Sequence, residues 1–135
     1  MKRFSLHFAT WLAILGIWVV VSRNHHPTLF INILATSVLV AASATAVYVN
    51  AAIVWPRFRQ HQISWRYGLE LICMVSVLDM IAVITIQVLY DWLWGPDPLR
   101  YGVGTNLVYD AIFIGLHLAV ATAGLAISRR RSAKA

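Results

Sequence analysis

Residues 71–90 read LICMVSVLDMIAVITIQVLY, an apolar run that carries one carboxylate, Asp79, close to its middle. About 20 apolar residues are enough for an α-helix to cross the hydrocarbon core of a bilayer. The run lacks the strict alternation of apolar and polar residues that is typical of a half-buried strand. It therefore predicts a transmembrane helix.

Four apolar segments of this kind follow one another, at residues 4–22, 28–55, 68–94 and 105–128. The second is expected to stop at Pro56, because proline cannot continue a helix without the loss of a hydrogen bond. The third is expected to end at the GPDP turn of residues 95–98. The predicted fold is all-α, a single transmembrane domain over residues 1–135, in which short loops produce an antiparallel bundle of four transmembrane helices.

Composition and charge place this bundle in a membrane. The chain is 60% hydrophobic and only 12% charged, whereas about a quarter of the residues of a soluble domain are charged. Nine of the eleven Lys and Arg residues lie at the termini or between the second and third segments. The other two, Arg23 and Arg100, lie in the loops on the opposite side of the predicted membrane. This bias predicts a multi-pass protein of the cell inner membrane with both termini in the cytoplasm. It also explains the net charge of +6 without a nucleic-acid partner.

Two ionisable side chains, Asp79 and His117, are each about eleven residues from a basic flank, or roughly 16 Å at the helical rise. A charged group near the centre of a bilayer costs at least ~2.5 kcal/mol and usually persists only when it is paired or functional. Because the third and fourth helices are expected to be antiparallel neighbours, we expect Asp79 and His117 to meet at equal depth.

Further polar residues extend this predicted intramembrane site. Asp110 lies seven residues before His117 and so shares its helix face, Ser76 shares a face with Asp79, and Ser43 could complete the site from the second helix. The pair could be a hydrogen-bonded contact that fixes helix register. It could instead be a protonation site, acting as a switch in a sensor or as a relay in a transporter. In a third interpretation the two residues face different partners, including those in a second subunit.

Motifs of catalysis and of metal binding are not found in the sequence. Cys73 is the one cysteine, and His25 and His26 lack a third ligand nearby. His7 and His117 are expected at different depths, which argues against a haem held by both. The sequence has no Gly-rich phosphate loop, HExxH motif or nucleophile elbow. We therefore expect no enzyme activity, no metal and no cofactor.

Residues 48–58, YVNAAIVWPRF, and residues 7–12, HFATWL, carry a family resemblance. They are similar to the N-terminal transmembrane input module of LytS/YehU-like membrane sensor histidine kinases, in which a Tyr-x-Asn…Pro-Arg-Phe signature ends the second helix. The matching residues are His7, Trp11, Tyr48, Asn50, Pro56, Arg57 and Phe58. The resemblance covers the first half of the chain.

In that family the last membrane helix leads into a coiled linker and a kinase domain, which the basic segment RRRSAKA replaces here. The resemblance therefore implies a sensory or regulatory membrane protein that acts through a cytoplasmic or membrane signalling partner, in contact with membrane lipid and with a homodimer as one form. The alternatives are a small proton-coupled transporter, which works as a dimer with Asp79 and His117 as coupling residues, and a structural subunit of a membrane complex.

Overall fold

The computed structural model describes residues 2–61, 64–95 and 102–132, and it contains only helices and short turns in these ranges. A 3-10 turn, Arg23–His25, follows the first helix, and a π-helical segment, Asn50–Val54, joins the second helix to the third. The prediction of an all-α fold is confirmed for these residues. The α-helices are α1 (Lys2–Val21), α2 (Leu29–Val49), α3 (Trp55–His61), α4 (Ser64–Trp94) and α5 (Val103–Ser132).

Three helical stretches of the described chain are long and apolar enough to cross a membrane. They are Leu29–Arg59, Ser64–Trp94 and Val103–Ile127, and Ser5–Val21 is a shorter apolar helix. Large apolar side chains are exposed along all four stretches. Lipid is the environment in which such surfaces are stable. The chain is therefore a membrane protein with transmembrane helices.

Helix α2 is the centre of the packing, since it contacts α1, α4 and α5. Its buried residues recur at intervals of three or four, which puts them along one side of the helix. Three of the seven are polar, so α2 also carries polar groups into the interior. The buried set is Ile31, Asn32, Ala35, Thr36, Val40, Ser43 and Ala46.

Capping residues fix two of the helix ends. The Thr28 hydroxyl accepts a hydrogen bond from the Ile31 N–H at 3.2 Å, which satisfies a free donor at the start of α2. Gly95 ends α4 with φ +83°, a conformation that glycine adopts without a steric cost. The rest of the predicted turn, residues 96–98, lies outside the described residues.

The predicted end of the second helix at Pro56 is wrong. Helical backbone continues through Pro56 to His61, because the chain widens into the π segment just before the proline. There the Trp55 N–H bonds the Asn50 carbonyl, five residues back. Such a wide turn removes the clash that a proline ring makes in a regular α-helix. Helix α4 likewise begins earlier than predicted, at Ser64.

Candidate functional site

A cavity of about 690 Å³ lies where α1 and α4 end and α2 and α5 begin. Pockets of this size accept a drug-sized molecule. We call it the aromatic cavity, because five aromatic rings line it together with aliphatic and polar side chains. The rings are those of Trp18, Tyr90, Trp94, Tyr109 and Phe113. The other polar lining residues are Ser22, His25, His26, Thr36, Gln87, Asn106 and Asp110.

The loop between α1 and α2 closes one side of the aromatic cavity. His26 Nδ1 is hydrogen-bonded to the Tyr90 hydroxyl of α4, and the two rings are 6.0 Å apart. Burial lowers the pKa of His26 from 6.5, and the neighbouring His25 lowers it further. The imidazole of His26 is therefore neutral at pH 7, and the loop brings no fixed positive charge to the cavity from this residue.

A buried amide joins α1 to α2 beside the same cavity. The Asn32 side chain is 0% exposed, and its Nδ2 donates to the Val19 carbonyl at 2.8 Å. Its Oδ1 accepts from the Ser22 hydroxyl at 2.7 Å and from the Thr36 hydroxyl at 3.0 Å. Three hydrogen bonds thus hold the amide, and they keep this wall of the cavity in one arrangement.

Asp110 and Asp79 form a pair of carboxyl groups at the α4–α5 contact. Asp110 lines the aromatic cavity, whereas Asp79 is 4% exposed, and the two groups interact electrostatically. The Asp79 Oδ1 atom has no hydrogen-bond partner among the described residues. Within those residues neither carboxyl forms an ion pair with a Lys or Arg side chain; the ion pair seen there joins Arg66 to Glu70.

The register of α4 against α5 explains this pairing. Asn50 of the π segment bonds both Tyr67 of α4 and Thr122 of α5, so these residues share a level. Asp79 lies twelve residues beyond Tyr67, and Asp110 lies twelve residues before Thr122. Since the two helices run in opposite directions, Asp79 and Asp110 reach the same depth.

The prediction that Asp79 and His117 are in contact is wrong. His117 is seven residues from Asp110, so it lies about 10 Å along the helix from the carboxyl pair. Its Nδ1–H donates to the Phe113 carbonyl at 2.8 Å, and its Nε2 accepts from the Trp18 Nε1–H at 3.3 Å. Both ring nitrogens are therefore bonded, and the imidazole is part of an aromatic contact between α1 and α5.

The two serines predicted beside this pair lie in different surroundings. Ser43 is 0% exposed, and its hydroxyl has no hydrogen-bond partner among the described residues. Ser76 is exposed, although it is only three residues from the buried Asp79. Ser43 therefore stays within the interior, and Ser76 faces the surroundings of the helix and does not join the carboxyl pair.

Asn50 holds the opposite end of the helices together. Its side chain is 1% exposed; Nδ2 donates to the Thr122 hydroxyl at 2.9 Å, and Oδ1 accepts from the Tyr67 hydroxyl at 3.2 Å. Beside it, the Phe58 and Tyr67 rings are 4.7 Å apart. This Asn50 junction, made of Asn50, Tyr67 and Thr122, ties α4 and α5 to the π segment.

Three further residues of the resemblance, His7, Trp11 and Tyr48, meet between α1 and α2. The Trp11 Nε1–H donates to the Tyr48 hydroxyl at 3.0 Å, and the His7 and Tyr48 rings are 5.9 Å apart. Arg57 is exposed on α3, next to the half-buried Pro56. His7, Trp11, Tyr48, Asn50 and Phe58 thus make contacts between helices, which gives this part of the sequence pattern a packing role.

Sequence reasoning missed Trp18, His26 and Asn32 as parts of the site. The place of Tyr90 was predictable from its spacing. It lies eleven residues after Asp79, and at 3.6 residues per turn the two side chains share nearly the same face of α4. Asp110 was noted, but as a companion of His117 and not of Asp79. Among the described residues, no group of three or more His, Cys, Asp or Glu side chains could hold a metal ion.

Comparisons of the chain with protein-family models, with curated proteins and with solved structures find no match.

Proposed function

We propose that this chain is a sensory or regulatory protein of the cell inner membrane that binds a small ligand in the aromatic cavity and passes the change to a signalling partner. The single observation that supports this function best is the cavity of about 690 Å³, with an acidic group and hydrogen-bonding side chains in an aromatic wall. Cavities of this composition bind small molecules in many proteins.

In this proposal α1, α2, α4 and α5 cross the membrane as an antiparallel bundle, with both termini in the cytoplasm. The excess of Lys and Arg at the termini and before α4 supports that orientation. The aromatic cavity lies at the loop after α1, and Arg23 is the one Lys or Arg residue of that loop. A loop with so few basic residues belongs on the outer side, so the cavity then opens toward the outer face.

Helix α2 supplies the proposed route from ligand to output. Its residues Ala35, Thr36 and Leu39 line the cavity, and it leads directly into the π segment, where Asn50 holds α4 and α5. A ligand that moved α2 against its neighbours would therefore shift the Asn50 junction and α3, at the cytoplasmic end. The resemblance to membrane sensor kinases agrees with such an input role.

A ligand-independent experiment tests this coupling. Leu39→Trp fills part of the cavity, and spin labels at Arg59→Cys and Ile127→Cys report the spacing of the cytoplasmic helix ends in a Cys73→Ser background. We expect Leu39→Trp to shift the label distance by roughly 2 Å, the size of helix movements in known switches.

Ile33→Trp is the matched control for this experiment. Ile33 lies on the same helix but is 41% exposed and outside the cavity lining, so the added ring faces away from the cavity. A control that moves the labels as much as Leu39→Trp would contradict the proposed route. So would unchanged distances in both variants of the correctly folded chain.

Proton-coupled transport is the second candidate, and the Asp79–Asp110 pair favours it. A buried carboxyl oxygen without a partner, beside a second carboxyl, is a natural place for an exchangeable proton. The chain would work as a dimer with these two carboxyl groups as the coupling residues, in place of Asp79 and His117.

Proteoliposomes that contain a pH-sensitive dye distinguish the two candidates. A transporter is expected to dissipate an imposed pH gradient, and Asp79→Asn is expected to abolish that activity while Asp91→Asn on the same helix keeps it. A gradient that decays equally with and without the protein would favour the sensory function.

A further inference from the structure

We infer that the aromatic cavity selects a hydrophobic organic cation, such as a quaternary ammonium or phosphonium compound. This inference rests on the proposed ligand-binding role of the cavity and adds the chemical class of the ligand.

Charge in and behind the cavity favours a cation. Among the described lining residues, Asp110 has the one carboxyl group, and none of them is Lys or Arg. The buried Asp79 lies at the same depth on α4 and interacts electrostatically with Asp110, and its Oδ1 has no hydrogen-bond partner in the described part of the chain. Two carboxyl groups in an apolar setting are stabilised by a nearby positive charge, and a bound cation can supply that charge.

The aromatic walls favour the same sign of charge. A cation over the face of a Trp, Tyr or Phe ring is attracted by the negative face of the ring, and quaternary ammonium groups are often bound this way. Trp18 and Phe113 lie close together in the wall, with ring centroids 4.6 Å apart, and Tyr109 lies one residue before Asp110. A ring system and a carboxyl group therefore reach one ligand together.

The apolar part of the lining sets the body of the ligand. Aliphatic side chains from α2, α4 and α5 make up much of the rest of the wall, and such a surface accepts apolar substituents more readily than the water shell of a small ion such as Na⁺. A cation with bulky apolar substituents keeps its charge beside Asp110 and places its substituents on this surface. These aliphatic residues are Ala35, Leu39, Val83, Ile86, Ile112 and Leu116.

Two ions of one shape and opposite charge test the inference. Tetraphenylphosphonium and tetraphenylborate are titrated separately into nanodiscs with and without the full chain, and the heat of each injection is measured. The heat measured with the empty nanodiscs is subtracted, because it reports partitioning of the ion into lipid. We expect saturable binding of the phosphonium alone, weakened at least about tenfold in Asp110→Asn. Tyr109→Leu, at a ring that is 66% exposed, is expected to weaken it roughly two- to fivefold.

Asp91→Asn is the matched control, since Asp91 is an exposed carboxylate of α4 outside the cavity lining, and it is expected to bind like the wild type. Equal binding of the borate, equal effects of Asp110→Asn and Asp91→Asn, or no saturable phosphonium binding would each overturn the cation selectivity. The spin-label distances need no ligand, so they judge the proposed function separately. Saturable binding of both ions that Leu39→Trp blocks would leave the cavity as a binding site and refute only the choice of charge.

Discussion

At the scale of single residues, the Asn50 side chain links the π segment to two other helices. It is 1% exposed and bonds side chains of α4 and α5 at once. Hydrogen bonds of this kind hold membrane helices together where apolar burial cannot, because lipid is as apolar as the side chains themselves. The amide therefore fixes both the register and the spacing of these helices.

Asn50→Ala is expected to lower the free energy of unfolding by about 1–2 kcal/mol, since it removes both bonds and leaves Thr122 and Tyr67 unpaired at that point. Thermal unfolding in detergent, followed by circular dichroism, measures the loss. Thr45→Ala is the control, because Thr45 is exposed and bonds a carbonyl of its own helix, Ala41, at 2.8 Å. Equal midpoints for the two variants would contradict a role of Asn50 between helices.

The second residue-scale feature is His26, whose neutral ring meets Tyr90. Its pKa is lowered from 6.5 by burial and by the neighbouring His25, so the unfolded chain binds this proton more readily than the folded chain. The stability that the neutral ring contributes is therefore complete above pH 6.5 and is lost as the pH falls toward the folded-state pKa.

We expect the unfolding midpoint of the wild type to decrease when the pH falls from 7.5 to about 5, and His26→Gln to reduce this decrease, since glutamine does not titrate. Differential scanning fluorimetry across that range measures both. His25→Gln should retain most of the decrease, because burial is the larger cause of the shift at His26. A pH dependence that is unchanged in His26→Gln would refute the assignment.

At the scale of elements, the π segment decides how the chain leaves the central helix. The wide turn at Asn50–Val54 lets helical structure pass through Pro56, and it directs Phe58 toward Tyr67, with the two rings 4.7 Å apart. A π-helical turn contains one residue more than the corresponding α-helical turn. The direction of α3 therefore depends on chain length within this segment.

Deletion of Ala52 removes the residue that the wide turn accommodates, so the segment should return to α-helical geometry. The Pro56 ring would then clash with the carbonyl four residues before it and bend α3 away from its present direction. The contact between Phe58 and Tyr67 would then be lost while Asn50 keeps its position, and we expect a lower thermal midpoint when unfolding is followed by circular dichroism. Ala52→Gly preserves the length and serves as the control. A deletion variant that matches this control would show that the extra residue has no structural role.

At the scale of the whole molecule, the levels of the helices determine which polar groups meet. Helix α5 continues past Thr122 to Ser132, whereas α4 starts at Ser64, close to Tyr67 at the same level. Two residues that lie equally far along the chain from the basic flanks of α4 and α5 are therefore not at the same depth in the structure. The offset moves His117 away from Asp79 and puts Asp110 in its place.

The proposed orientation makes a whole-molecule prediction. A green fluorescent protein fused after residue 135 should fluoresce, and alkaline phosphatase inserted between Gly95 and Gly102 should be active, because the first reporter works in the cytoplasm and the second outside it. Exchange of the two reporters is the control and should abolish both signals. Fluorescence from the loop position would reverse the orientation derived from the Lys and Arg bias.

The sequence by itself determined the class of protein and the approximate helices. Apolar runs of bilayer length and the scarcity of charge are local properties, so they predict membrane helices without knowledge of packing. The buried polar character of Asp79, Ser43 and Asn50 was also predictable, because polar groups inside apolar segments avoid lipid. The orientation and the function remain predictions.

Only the tertiary structure decided the partners of these polar groups. The pairing of Asp79 with Asp110, the bond from Trp18 to His117 and the contact of His26 with Tyr90 depend on the sliding and rotation of one helix against another. A shift of seven residues, about 10 Å, is enough to exchange one polar partner for another. The sequence of a single helix does not determine how far that helix slides or rotates against its neighbour, because both depend on the side chains packed between the two helices.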